Sequence, residues 1–276
     1  MSILTIAHLT LYESRRRRIV AAALVCATAY LVVYSAGLFF VHREQLREGT
    51  ALLQRQLLMS VLTLMGLYGA NFLSVLFAVL LPVDTLSGEI DSGVMQTLAS
   101  KPLRRADIVV GKWLGHAVLV TSYLLALSFG VILVVRVIAG PLPVRPVVAL
   151  PLMLMEVVLL MTVSIAGGTR LNTVTNGVTA LGFYGIAFIG GWVEQVGTMT
   201  GNSAAQNVGT VASLIMPTEA LWQRAAYFMQ PSVMRDLNWS PFSSGALPSV
   251  AMVWWAVLYA VFALVSGVQA FRKRAL

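Results

Sequence analysis

Long apolar runs, broken by short polar and basic stretches, dominate the chain. Six of them stand out, at residues 19–41, 57–81, 113–135, 147–166, 178–196 and 250–271. Each is about 19–25 residues long, enough for a helix to cross ~30 Å of hydrocarbon at 1.5 Å per residue. Lipid offers the backbone no hydrogen-bond partner, so spans of this length must be helices. Alternating segments of about ten residues, the mark of a membrane barrel, are not visible. The pattern predicts an all-α, polytopic membrane protein of six spans, forming one transmembrane domain over 1–276.

Three further elements follow from the pattern. Residues 2–16 read as an interfacial amphipathic helix preceding the first span. Thr5, His8, Tyr12 and Arg15 recur at spacings of three and four, while Ile3, Leu4, Ile6, Ala7 and Leu11 face elsewhere. The 82–112 stretch between spans two and three is polar at its ends and carries a short apolar stripe: Val94, Met95, Leu98 and Ala99 share one face of a helix that Pro102 stops. The 197–248 stretch between spans five and six predicts two short helices lying at, or dipping into, the opposite interface. One follows the apolar run 211–216; the other covers 218–229, with Thr218 as N-cap.

Composition agrees with this reading. Of 276 residues, 58% are hydrophobic and 11% charged, with a mean hydropathy of +0.82. A soluble domain is about 25% charged, so a water-soluble enzyme and a disordered chain are both excluded. The single cysteine, Cys26, allows no intrachain disulfide and reads as a buried, inert thiol. The formal charge of +8 points to membrane orientation and anionic lipid rather than to nucleic acid. Placing both termini in the cytoplasm puts 12 of the 19 Lys and Arg residues on the inner side. That bias predicts an inner-membrane protein with cytoplasmic termini. The first apolar run is too long for a cleaved signal peptide.

Polar residues inside the spans are candidates for function. Glu156 lies near the middle of span four, where an ionisable group costs at least ~2.5 kcal/mol. It should face the interior, protonated or paired, either lining a translocation path or bonding a neighbouring helix. Asn71, in span two near Tyr68, is the second path candidate and reads more simply as interhelical glue. His116 is assigned a packing or capping role. Gly182, Gly185, Ala187 and Gly191 on span five suit close helix packing. Met153, Met155 and Met161 on span four do not share one face, and no metal site is predicted. No catalytic group is predicted either. His8, His42 and His116 back no serine elbow, and no His-Glu-x-x-His occurs.

The 82–112 loop reads in order Glu89 and Asp91, Gly93, Leu98, Ser100 and Pro102, Arg105, then Gly111 and Lys112. This order resembles the type-two ABC exporter permeases, the membrane subunits of drug and polysaccharide exporters. The run Gly111-Lys112-Trp113-Leu114-Gly115-His116 is most similar to the permeases that support copper-site maturation of nitrous-oxide reductase. Met216-Pro217-Thr218-Glu219 also resembles that subgroup. Val94 and Ala99 depart from the usual Thr and Leu. The resemblance implies that the 84–105 stretch is a coupling helix docking on two cytoplasmic ATPase subunits. It further implies a dimer, with a second copy or a related permease. No phosphate loop is present, since Gly111-Lys112 is followed by Trp113, so ATP and magnesium are expected on the partner and no cofactor on this chain. The contrasting reading is a proton-coupled carrier centred on Glu156, which needs no docking helix.

Overall fold

A computed structural model of the protein describes residues 3–91, 104–140, 143–236 and 248–273, with the side chains of Ile90, Asp91, Arg235 and Asp236 excepted. The described residues are helical and contain no strand. In chain order the helices are α1 (Ile3–Arg15), α2 (Arg18–Arg47), α3 (Leu52–Leu80), α4 (Ser87–Asp91), α5 (Arg105–Ile138), α6 (Pro146–Gly168), α7 (Thr173–Thr200), α8 (Ser203–Ile215), α9 (Thr218–Met229), α10 (Ser232–Asp236) and α11 (Val250–Lys273). Six of them, α2, α3, α5, α6, α7 and α11, are long and apolar enough to cross a membrane. They match the six sequence spans and extend beyond them. At 34 residues, α5 is about 51 Å long, so it projects well past ~30 Å of hydrocarbon.

The centre of the bundle is α6, which touches α3, α5, α7, α9 and α11. Apolar contact alone does not sort helices in lipid, because lipid tails are as apolar as leucine. Hydrogen bonds and close approach do the sorting. Trp113 Nε1 of α5 donates to Thr162 Oγ1 of α6 at 2.8 Å. Ser164 Oγ of α6 donates to the Val79 carbonyl of α3 at 2.9 Å. The first span, α2, buries only Leu38 and sits at the periphery. Three tyrosine hydroxyls attach it: Tyr30 donates to the Gly66 carbonyl, Tyr34 to Leu62 and Tyr123 to Ala23. Cys26 therefore differs from expectation. It lies on the outward face of α2 and is exposed.

The N-terminal helix α1 lies against α5. It buries Ile6, Thr10 and Ser14, a stripe at spacings of four, and exposes Thr5, His8, Tyr12 and Arg15 as the sequence predicts. Leu4 departs from that expectation and points outward, 74% exposed. The close approach is possible because α5 presents Gly111 and Gly115 to it. A Cβ at Gly111 would stand 2.7 Å from Ile6 Cβ, and one at Gly115 would stand 2.8 Å from the Ala7 carbonyl oxygen.

Beyond α7 the chain reverses. Gly201 caps α7 in the left-handed region, at φ 67°. The Asn202 side chain then caps α8 by accepting from the amides of Ala204 and Ala205. α8 folds back along α7, and α9 turns in toward the centre, where Leu221, Trp222, Ala225 and Ala226 are all buried. The second short helix covers 218–229 as predicted, but Thr218 is its first helical residue and not its N-cap; Pro217 holds that position with no side-chain cap. The first begins at Ser203, earlier than the apolar run that signalled it. Gly191 of α7 faces Glu219 and Gln223 of α9, whereas Gly182 and Gly185 face open space.

Replacing Gly115 by Leu is expected to lever α1 off α5, since the contact at fault is backbone rather than a movable side chain. The expected loss is about 1–3 kcal/mol, read as a lower thermal midpoint in detergent together with faster tryptic cleavage at Arg15–Arg18. Unchanged cleavage would show that α1 does not depend on this contact.

Candidate functional site

The chain leaves α3 through a turn at residues 81–86 and enters α4. This short stretch is gripped from several sides. Asp84 accepts from Arg17 Nη1, just beyond α1, and Arg17 Nη2 also donates to Glu13 at 2.8 Å. Thr85 meets His116 of α5: Nε2 to Oγ1 is 3.2 Å, while His116 Nδ1 lies 2.8 Å from the Lys112 carbonyl. A carbonyl oxygen only accepts, so the imidazole proton sits on Nδ1 and the Thr85 hydroxyl donates to Nε2. Ser87 gives its proton to the Val83 carbonyl and accepts from Thr173 of α7, at 3.2 and 2.8 Å. Asn176 of α7 bridges with both amide protons, to Ser164 O of α6 at 2.8 Å and to Val83 O at 3.2 Å. Glu89 of α4 forms an ion pair with Lys112 of α5, and the two side chains are 13% and 6% exposed. The turn is therefore bound to the α1–α2 junction, α5 and α7 at once, and through Asn176 to α6.

Of the residues assigned to coupling, Glu89 and Lys112 meet each other. Gly111 is spent on the α1 contact. Arg105 opens α5 and donates to the Arg272 carbonyl near the end of α11, at 3.2 Å. Gly93, Leu98 and Pro102 lie outside the described residues, with Ser100 and the side chain of Asp91. Sequence reasoning passed over Arg17, Thr85, Thr173 and Asn176 and gave His116 only a local role. Their signal was present but weak: each is a polar residue at the same end of a span.

The two path candidates also meet. Asn71 Nδ2 of α3 donates to Glu156 Oε2 of α6 at 2.9 Å, with both residues 1% exposed. The oxygen of the same amide is buried and has no partner among the described residues. A second acid is close by. Glu219 of α9 is 6% exposed, bonded to Gln223, and close enough to Glu156 for their charges to interact. Around them stand Tyr68, Tyr184 and Trp222, the rings of Tyr68 and Trp222 being 5.0 Å apart. Glu219 escaped notice as an interior acid because α9 is too short to register as a span. The cluster is a sealed interhelical network of α3, α6, α7 and α9. Among the described residues no group of three or more His, Cys, Asp or Glu could hold a metal ion.

An all-helical bundle with six membrane-crossing helices is the architecture of a polytopic membrane protein. The sequence profile described as ABC-2 family transporter protein matches residues 4–276, nearly the whole chain. The chain belongs to that family, and so is a permease subunit of an ABC transporter rather than an enzyme. No curated protein matches it significantly.

Two outcomes follow from these contacts. Asn71→Ala strips Glu156 of its donor and is expected to cost about 1–3 kcal/mol, seen as a lower thermal midpoint. Glu156→Gln, which keeps an acceptor for Asn71, should cost less; the reverse ranking would sink the assignment of the bond. The second outcome concerns pH. Burial alone would raise the Glu13 carboxyl, but the hydrogen bond and charge of Arg17 outweigh it and hold the group below its ordinary 4.5. A depressed carboxyl stabilises the fold fully above its unfolded value and ceases to do so as pH falls through the folded one. The contribution of the Glu13–Arg17 pair to the thermal midpoint in detergent, read as the difference between wild type and Glu13→Gln, should thus stay constant above about pH 4.5 and shrink below it.

Proposed function

We propose that the chain is the membrane-spanning half of an ATP-driven exporter, working as a dimer with a second copy or a related permease. It sits in the inner membrane with both termini in the cytoplasm, a placement supported by the bias of Lys and Arg. Separate cytoplasmic ATPase subunits, two per assembly, hold the ATP and magnesium and dock on the 84–105 stretch. The observation that carries this reading is the bracing of the turn at 81–89. A segment that receives force from a partner must not yield, and this one is tied to the α1–α2 junction, α5 and α7 by hydrogen bonds and two ion pairs, and through Asn176 to α6. Pushing on it moves the cytoplasmic ends of those helices together, as a packed unit with discrete arrangements.

In this reading Glu89 acts by position. Its carboxylate is engaged by Lys112, so it sets the direction in which α4 leaves the turn. Docking contacts then fall to Asp91, Gly93, Leu98, Pro102 and Arg105. Within the family, the subgroup that serves copper-site maturation of nitrous-oxide reductase is supported by the runs at 111–116 and 216–219. Gly111 and Gly115 of the first run seat α1, and Glu219 of the second enters the interior cluster with Glu156 and Asn71, where a translocation path between α3, α6 and α9 would lie.

The test is co-purification from the native membrane in mild detergent. The wild-type chain should bring down a phosphate-loop ATPase in stoichiometric amount. Glu89→Lys sets two ammonium groups together, at a cost of about 3 kcal/mol or more, and should lose the partner. The swap Glu89→Lys with Lys112→Glu restores the pair and should recover it. A wild-type particle free of any ATPase overturns the exporter reading. Loss that persists in the swap means that Glu89 touches the partner directly.

A further inference from the structure

A crevice of about 570 Å³ opens between α2 and α5. Leu24 and Leu31 of α2, Phe77 of α3, and Leu119 and Leu127 of α5 wall it, and Arg15 stands at its end. Its wall on α2 runs from Val20 to Leu31, a rise of about 16 Å. That is the depth of one leaflet, half of ~30 Å. The crevice therefore descends from headgroup level, on the side of the termini, to the bilayer midplane. Its floor is apolar and its mouth is cationic.

The mouth is more selective than a count of arginines suggests. Of the four in the run, Arg17 is turned inward onto Glu13 and Asp84. Arg16 lies over the Tyr12 ring, 4.4 Å from its centroid. Arg15 and Arg18 are exposed and have no hydrogen-bond or ion-pair partner among the described residues. An arginine fork binds phosphate oxygens in a bidentate way.

We infer that the α2–α5 crevice is a binding site for an anionic phospholipid of the leaflet on the side of the termini, one acyl chain lying along Leu24 and Leu31 and the headgroup phosphate held by Arg15. Such a lipid would fill the gap beside the least buried span. Of the tyrosines that attach α2, Tyr123 lines the crevice. The inference stands apart from the exporter reading, since it uses no contact with an ATPase.

The probe is phosphatidylglycerol with a photoreactive group in its acyl chain, mixed into phosphatidylcholine vesicles holding the full chain, against the same group on phosphatidylcholine. Labelled peptides are mapped by mass spectrometry. The glycerol probe should mark the α2 and α5 segments that line the crevice and outcompete the choline probe there. Arg15→Gln should lower that labelling about fivefold. Filling the crevice with Ala27→Phe and Ala126→Phe should abolish it, while labelling of the exposed Trp254 and Phe262 face of α11 persists and a cooperative thermal transition shows that the variant is folded. Equal labelling by both probes, or labelling that survives the filled crevice, overturns the inference. So does a disulfide-linked dimer formed by Ser122→Cys in a Cys26→Ser background, which would make a second copy the occupant.

Discussion

No water is at hand inside a bilayer, and that scarcity governs this fold. A polar atom in the interior must be matched by another part of the chain or remain unmatched, at a cost of several kcal/mol per group. Apolar side chains gain nothing by choosing a neighbouring helix over lipid. The arrangement of the spans is accordingly written in a small number of polar contacts. Trp113 to Thr162 joins α5 to α6, Ser164 to Val79 joins α6 to α3, and Asn71 to Glu156 joins α3 to α6 a second time. α2 is tied in by three tyrosine hydroxyls yet buries only Leu38, and it lies at the edge.

The same rule explains why the polar residues crowd around the turn at 81–89. Helices α3, α5, α6 and α7 all end or begin there, and each end leaves carbonyls or amides without an intrahelical partner. Asn176 covers Val83 and the end of α6; Asn172 caps α7 by accepting from Thr175. His116, with one ring nitrogen donating and the other accepting, closes α5 onto Thr85. What holds the helix ends also makes the turn stiff. Stiffness and satisfaction of the backbone are here one arrangement, and the proposed coupling role uses it without extra parts.

Much of this was legible in the sequence, and for a physical reason. Twenty consecutive apolar residues have one solution in lipid, so the six spans followed from hydropathy. The exposed side of α1 followed from its three-and-four spacing, but its buried stripe did not, since Thr10 and Ser14 join Ile6 there and Leu4 points outward. The helix at 218–229 followed from the break at Pro217, though not from the cap expected at Thr218, which lies inside the helix. The side chains that meet across helices did not follow. Asn71 and Glu156 lie 85 positions apart, and nothing in either local segment names the other. Glu89 matched the pattern of a docking acid, yet Lys112 claims it, because a carboxylate and an ammonium a few ångströms apart in a half-dry setting pair before any partner arrives. Cys26 appeared buried because it sat in an apolar run, but apolar runs in membranes have an outward face, and Cys26 is on it.

The bond between Asn71 and Glu156 also has a consequence in time. A chain made from its N-terminus enters the membrane in order. α2, apolar on nearly every face, can leave for lipid with no companion. α3 follows, carrying Asn71. By the time α6 emerges with a carboxylate that lipid penalises, the amide that receives it is already in the membrane. Exchanging the two residues between α3 and α6 would preserve the bond in the finished fold, yet would send the acid in first and alone. The order of synthesis thus spares the ribosome–membrane junction a step that the folded structure by itself does not reveal.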